Sequence, residues 1–252
     1  MSTTTHTDSN DSVDSLPLLR EWADKLGAPL AEHQLDAFRI YREELLGWTA
    51  KRTNLTAITE PDEVESRLFL ESLWCAMALP TTEGLRLVDV GTGGGFPGLP
   101  LAIAFPQLHI TLVEATGKKI TFLEHVVGVL GLRNCHVVQG RAEDLGHEPD
   151  HREVYDVATA RAVAPMPTLV ELCLPFVRMN GLLIAPKGAD AEQEINDASD
   201  ALSALGGASE GIVLPDLNTP IPADHRLVVI SKTTPSPYRY PRRNGVPAQR
   251  PL

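Results

Sequence analysis

The chain has 252 residues, of which 43% are hydrophobic, and carries a formal net charge of −11. That suffices for one sizeable core with a small appendage, and it lacks the broad basic field expected of a protein that grips nucleic acid by its phosphates. Cys75, Cys135 and Cys173 are odd in number and far apart, which excludes a disulfide framework or zinc site and predicts buried thiols in a reducing compartment, with no metal. No apolar run approaches a membrane span, and the Ser/Thr/Asp-rich start has no signal-peptide core. A soluble, cytoplasmic protein is expected, and nothing suggests more than a monomer.

In chain order, residues 1–14 read as a disordered acidic arm. Residues 15–80 read as an N-terminal helical subdomain with helices near 15–26, 31–49 and 61–79. In the second of these, Leu35, Phe38, Tyr41, Leu45 and Trp48 share one face. Pro61 followed by Asp62 and Glu63 marks the start of the third, because Pro suits a first turn and acids suit the positive helix end. From residue 81 to 233 strands alternate with helices. Strands are predicted at 86–90, 110–114, 135–139, 154–160, 181–186, 209–214 and 226–232, and helices at 97–105, 117–131, 165–178 and 189–205. This rhythm predicts an α/β fold, a doubly wound, mostly parallel seven-stranded sheet whose last two strands close as an antiparallel hairpin. Residues 234–252 form a basic, Pro/Arg-rich tail.

The most informative stretch is Leu87-Val88-Asp89-Val90-Gly91-Thr92-Gly93-Gly94-Gly95-Phe96-Pro97-Gly98, with five glycines in eight positions. A buried strand ends there in a turn suited to Gly backbones, which feeds a helix and aims N–H groups at a ligand. A phosphate-binding P-loop would end in Gly-Lys-Ser/Thr, and this loop does not. In the dinucleotide frame Gly93-x-Gly95-x-x-Gly98, Pro97 sits where the pyrophosphate needs a free N–H. The pattern fits S-adenosylmethionine better, with the loop around an uncharged ribose and amino acid moiety and Asp89 facing the ligand's ammonium group directly or through water. Glu114 ends the next strand about 20 residues on, the spacing at which a carboxylate accepts ribose hydroxyls. Fold order places an adenine ring against the backbone near Gly140 to Asp144, the weaker of these placements.

These and other stretches resemble the RsmG family, also called glucose-inhibited division protein B, from about residue 16 to the C-terminus. The matching residues include Asn54-Leu55-Thr56, Arg67 with Ser72, the glycine loop, Gly117-Lys118-Lys119, Arg141-Ala142-Glu143, Ala160-Arg161-Ala162, Pro186-Lys187-Gly188 and Arg226-Leu227-Val228-Val229-Ile230. Tyr240-Pro241-Arg242-Arg243 also resembles the ending of longer members. Two residues depart from the pattern: Leu68 stands where a His is usual, and Glu71 where an Asp is common. The resemblance implies a class I S-adenosylmethionine-dependent methyltransferase of Rossmann-like fold acting on a guanine N7 of 16S ribosomal RNA in the small subunit, guanine 527 in ribosomal numbering, near the decoding centre. It implies cofactor contacts from Asp89, Gly91, Thr92, Gly93, Gly95, Phe96, Glu114, Ala142, Glu143 and Arg161.

The chemistry agrees with that implication. Guanine N7 has a free in-plane lone pair, so methylation needs positioning and no general base. No histidine stands in an obvious proton-transfer motif. The fourth strand ends Ala158-Thr159-Ala160-Arg161, without the Asn/Asp-Pro-Pro-aromatic signature of amine methylation. Arg161, at the carboxyl edge of the sheet, is the leading candidate to hold guanine O6 or a neighbouring phosphate. Lys118, Arg141, Lys187 and Arg226 make sense together as a phosphate-contacting rim, though singly each reads equally as a solvated charge. Asn54 and Arg67 read either as residues that close over the cofactor or guide RNA, or as caps and ion pairs. The tail, with Lys232, Arg239, Arg242, Arg243, Arg250, Tyr238 and Tyr240, reads either as an RNA-binding arm or as a solvated extension. Two rivals stand: a small-molecule methyltransferase of the same fold, with a sealed apolar pocket and no need of Arg161, Lys187 or the tail, and a non-catalytic cofactor-binding regulatory module.

Overall fold

The computed structural model describes residues 16–51 and 53–252. The acidic arm expected at 1–14 lies outside the described residues. The chain opens with α1 (Pro17–Trp22) and the long α2 (Glu32–Ala50). Leu35, Phe38, Tyr41 and Leu45 of α2 are buried, as their spacing requires, and Trp48 packs edge-on against Phe122. Gln34 links this helix to the sheet domain, because its amide donates to the carbonyls of Ile103 and Ala104 at 2.8 and 3.0 Å. The third helical stretch is continuous but irregular: α3 (Pro61–Glu63), a π-helical Val64–Leu70, α4 (Glu71–Trp74) and a 3-10 turn, Cys75–Ala78. The π-helical turn shifts the phase of the helix. Glu65 and Glu71 then face inward among Leu68, Phe69 and Leu70.

Seven strands form one sheet: β1 (Arg86–Val90), β2 (His109–Glu114), β3 (Cys135–Gln139), β4 (Tyr155–Thr159), β5 (Val177–Lys187), β6 (Gly207–Val213) and β7 (Arg226–Lys232). The order is β3-β2-β1-β4-β5-β7-β6. The first five strands run parallel, and β7 is antiparallel to both β5 and β6. Alternation along β1 sends Leu87 to one face and Val88 and Val90 to the other. The Leu87 face is covered by α5 (Gly98–Ala104), α6 (Gly117–Leu130) and the N-terminal helices, which share one core. The opposite face carries α7 (Ala142–Leu145), α8 (Met166–Cys173), α9 (Ala191–Asp197) and α10 (Ser199–Leu205). Strand order reverses between β1 and β4, so a crevice opens at their carboxyl ends, where open α/β sheets bind ligands.

Three boundaries differ from expectation. The helix expected to reach 178 ends by Phe176, because Pro175 cannot continue it and Val177 pairs with Tyr155 to start β5 early. The helix expected over 189–205 breaks at Ala198, whose dihedrals (−88°, 7°) leave the helical range. The short α7 follows β3, at a stretch for which no helix was among those predicted.

The tail is not a solvated extension: it is docked on the domain and ends in α11 (Val246–Gln249). Arg152 donates to the carbonyls of Gly146, Ser236, Pro237 and Tyr240. Arg242 forks onto Glu171 of α8, with Nη2 to Oε2 at 2.6 Å. Glu171 is fully buried, and a buried carboxylate requires such a partner, so Arg242 is committed to the fold.

The N-terminal helices also hold the glycine loop. Tyr41 donates from its hydroxyl to the Gly94 carbonyl at 2.6 Å and stacks on Phe96 at 5.3 Å. Tyr41→Phe should keep the packing but leave that buried carbonyl unpaired, at a cost of about 1–3 kcal/mol, read from the denaturant midpoint.

Candidate functional site

The loop after β1 is closed by Asp89, which is fully buried. Its Oδ2 accepts from Thr92 Oγ1 at 2.6 Å and from the Gly98 N–H at 2.8 Å. Both the residue type and the glycine are needed: a Cβ at Gly98 would lie 2.3 Å from Leu112 and 2.9 Å from Asp89 Oδ2. The Gly91 and Thr92 N–H groups donate to the Val113 carbonyl at the end of β2. Burial pushes the Asp89 carboxyl up to about 6, against the hydrogen bonds of Thr92 and Gly98 and the charge of Arg161. Its Oδ1 has no hydrogen-bond partner among the described residues. Asp89 does not line the cleft beyond the loop. It shapes the loop, and any ammonium it senses acts across the loop backbone.

That cleft holds about 360 Å³ at the carboxyl ends of β1 and β2. Val90, Val113, Val163 and Leu172 give apolar walls, Gly140 and Ala142 give backbone, and Glu114, Arg141 and Glu143 supply charge. Glu114 is largely buried at the end of β2 and accepts from the Gly93 and Thr116 N–H groups at 3.1 and 2.8 Å. Each carboxylate oxygen keeps a further lone pair, so ribose hydroxyls can still be bound. Lys119 Nζ lies 3.7 Å from Glu114 Oε2, so the charges nearly cancel, and a carboxylate acceptor beside apolar walls suits a ligand with a diol. The residues present therefore fit S-adenosylmethionine. Phe96, expected among the cofactor contacts, is turned away from the cleft and packs on Tyr41 and Phe69. Thr92 and Gly95 are buried within the loop, while Gly91 lines the cleft.

A second pocket of about 350 Å³ lies beside the first, lined by Ile58, Arg67, Leu68, Glu71, Arg161, Ala162, Pro186, Lys187, Gly188 and His225. One short segment after β4 walls both. Arg161 and Ala162 face the second pocket, and Val163 and Ala164 face the cofactor cleft. Ala162 has φ +55°, the left-handed turn that redirects the chain between them. Val163 leans on the loop, since a Cβ at Gly91 (φ +72°) would lie 2.9 Å from it.

Arg161 donates to the Arg67 carbonyl at 2.9 Å, lies 3.4 Å from Glu71 Oε2, and sits over the Phe96 ring at 5.1 Å. Glu71 Oε1 lies 3.2 Å from His225 Nδ1, so one nearly buried carboxylate bridges Arg161 and His225. Glu71 retains the acid its position usually carries. His225 was missed, because its only sequence signal is proximity to Arg226. Lys187 is paired with Glu194 at 2.6 Å and with the Ala164 carbonyl at 2.8 Å. Arg226 sits opposite it in the sheet, 3.6 Å from Glu192. Lys118 and Arg141 are exposed at the starts of α6 and α7, on the cofactor side. The structure thus splits the predicted basic rim: Lys187, which lines the second pocket, and Arg226 are paired, whereas Lys118 and Arg141, which lines the first, are exposed. Asn54 is exposed, and Arg67 lies 3.7 Å from Glu63. No described helix is long and apolar enough to cross a membrane.

Residues 34–216 match the family model of GidB, rRNA small subunit methyltransferase G. The ribosomal RNA small subunit methyltransferase G of Roseiflexus castenholzii is 48% identical over 226 residues, which cover 90% of this chain and 95% of that protein. That of Bacillus subtilis is 42% identical over 227 residues, covering 90% and 94%. Among solved structures, a mutant of MtNAS in complex with S-adenosylmethionine superposes with a TM-score of 0.54 at 18% identity, covering 89% of this chain and 86% of that one. That likeness is one of fold.

The Glu71–His225 contact has a pH signature. The Glu71 carboxylate, as hydrogen-bond acceptor and as charge, raises His225 above its ordinary value, against partial burial and the charge of Arg67. A raised histidine contributes stability that is complete below about pH 6.5 and lost as pH rises through the folded-state value. His225→Gln should therefore be less stable than wild type near pH 6, with the gap closing near pH 9, as measured by thermal melts across that range.

Proposed function

The chain belongs to the rRNA small subunit methyltransferase G family, and we propose on that basis that it transfers a methyl group from S-adenosylmethionine to N7 of a guanine in 16S ribosomal RNA, guanine 527 in ribosomal numbering. One observation carries this reading: the segment Arg161–Ala164 walls two adjoining pockets, one suited to the cofactor and the other lined by Arg161, His225 and Lys187. Donor and acceptor meet across that segment. When bound, the cofactor would supply an electrophilic methyl on a sulfonium, whose positive charge would pass to the base with the methyl, so the site's residues have no proton to move.

The residues have matching tasks. Glu114 holds the ribose, and Gly91, Gly93 and the Ala142 backbone shape the cleft around the nucleoside. Asp89 fixes the loop through Thr92 and Gly98. Arg161 presents its guanidinium to the guanine O6 edge, which lies beside N7, and Glu71 with the Arg67 carbonyl sets its direction. The apolar Ile58 and Leu68 help to exclude water from the acceptor pocket. Rate then rests on alignment, the factor most sensitive to small displacements.

The acidic balance bears on the substrate. Arg161, Lys187 and Arg226 each face a carboxylate already, so RNA phosphates must compete with Glu71, Glu194 and Glu192 for them. Binding to naked RNA should accordingly be weak, with the assembled small subunit preferred as substrate.

Labelled methyl transfer to small subunits lacking the modification tests the reading. Arg161→Ala should lower kcat about 100-fold while changing cofactor affinity, by calorimetry, far less. Full activity of Arg161→Ala, or transfer only to small molecules, would favour the small-molecule enzyme. Transfer that is equally fast on deproteinised 16S RNA would contradict the preference for assembled subunits.

A further inference from the structure

The cofactor cleft has a wall that the sheet and its loops do not provide. Gly245 and Ala248, from the last ten residues of the chain, line it together with Glu143, Thr168 and Leu172. We propose that the docked tail, from Arg242 through Arg250, is a working part of the cofactor site and that its docking is coupled to cofactor binding. The proposal rests on the reading of this cleft as the S-adenosylmethionine site.

The tail is placed by specific polar bonds. The Gly245 N–H donates to Glu143 Oε1 at 3.0 Å, and Asn244 Nδ2 donates to Asp144 Oδ2 at 3.0 Å, so both anchors lie on α7. Thr168 of α8 donates from its hydroxyl to the Pro247 carbonyl at 3.0 Å. Arg242 ties the segment together: it forks onto the fully buried Glu171 and also donates to the Arg250 carbonyl at 2.7 Å. The backbone turns at Gly245 with φ +80°, which swings α11 across α8 and toward the cleft. One carboxylate therefore faces both ways. Glu143 stands at the cleft, and it also receives the backbone of the tail. It acts as a positioning residue, and the wall it holds is Gly245 to Ala248.

Coupling follows from where the anchors are. Residues 142–144 border the cleft on one side and grip the tail on the other, so releasing the tail removes a wall and frees Glu143 to reorient. A ligand that contacts Ala248 and the α7 backbone gains only when the tail is docked, and it must favour the docked state by the same factor by which docking favours it. Ala248 itself is exposed, so a larger side chain there would enter the cleft without disturbing the core.

The test is calorimetric titration of full-length protein with S-adenosylmethionine, together with hydrogen exchange over residues 240–252. Ala248→Trp should raise Kd at least about tenfold with an unchanged melting temperature, the readout that a purely structural tail would not give. Arg242→Ala should raise Kd by about tenfold or more, with faster exchange in the tail. In wild type, exchange at 242–250 should slow when the cofactor is added. Wild-type affinity in both variants, with tail exchange indifferent to cofactor, would overturn the proposal. Failure of the wild-type protein to bind S-adenosylmethionine at all would overturn the cofactor reading and the proposal with it.

Discussion

The carboxylate of Asp89 joins three things that the site needs in register: the end of β1, the glycine loop and the start of α5. Its Oδ2 takes the Thr92 hydroxyl from within the loop and the Gly98 N–H from beyond it, so the loop is pinned at its middle and at its end. With the loop so closed, the Gly93 N–H meets Glu114, and the carboxylate proposed to hold the ribose is fixed by the same device. Burial raises the Asp89 carboxyl from 3.8 to about 6, so keeping it ionised at neutral pH costs the fold roughly 3 kcal/mol. In sign, its contribution to stability is complete below about pH 3.8 and is lost as pH rises to about 6. Arg161, on the acceptor side, offsets part of that cost. A residue of the acceptor pocket therefore also supports the cofactor loop electrostatically.

Pairing of this kind recurs through the site, where His225 is the one imidazole and is itself held beside Glu71. Its charged groups are tied to partners: Arg161 to Glu71 and the Arg67 carbonyl, Lys187 to Glu194 and the Ala164 carbonyl, Glu114 to two backbone N–H groups. Such groups hold direction well, which suits a reaction that rests on alignment. The same pairing goes with the net charge of −11: neither leaves a diffuse basic field, in keeping with the weak binding to naked RNA proposed above.

What could be read in the chain was local. The β1 loop lies within twelve consecutive residues, and its chemistry follows from an acid, a run of glycines and an acid ending the next strand. Strand positions followed from apolar runs, and the core face of α2 from its 3.6-residue period. What could not be read was long-range. Glu71, Arg161 and His225 come from three separated segments, and no periodicity predicts that one carboxylate will bridge the other two. Glu171 has the sequence appearance of a helix-surface acid, yet it is buried, and its partner Arg242 lies 71 residues away. The tail's basic composition suggested solvent or RNA, whereas the Arg242 guanidinium is engaged by the buried Glu171 and the Arg250 carbonyl. Phe96 illustrates the reverse error: it belongs to the loop motif, but its ring serves the N-terminal core.

In the proposed reaction the methyl group lands on a ring nitrogen that needs no deprotonation. Methylation of guanine N7 leaves a cationic ring that borohydride reduces, after which aniline cleaves the strand at that nucleotide. Small subunits lacking the modification, treated with this protein and S-adenosylmethionine, should yield 16S RNA that is cut at one guanine, position 527 in ribosomal numbering. Incorporated label in RNA that resists this cleavage would place the methyl on an atom other than guanine N7, and would contradict the proposed acceptor.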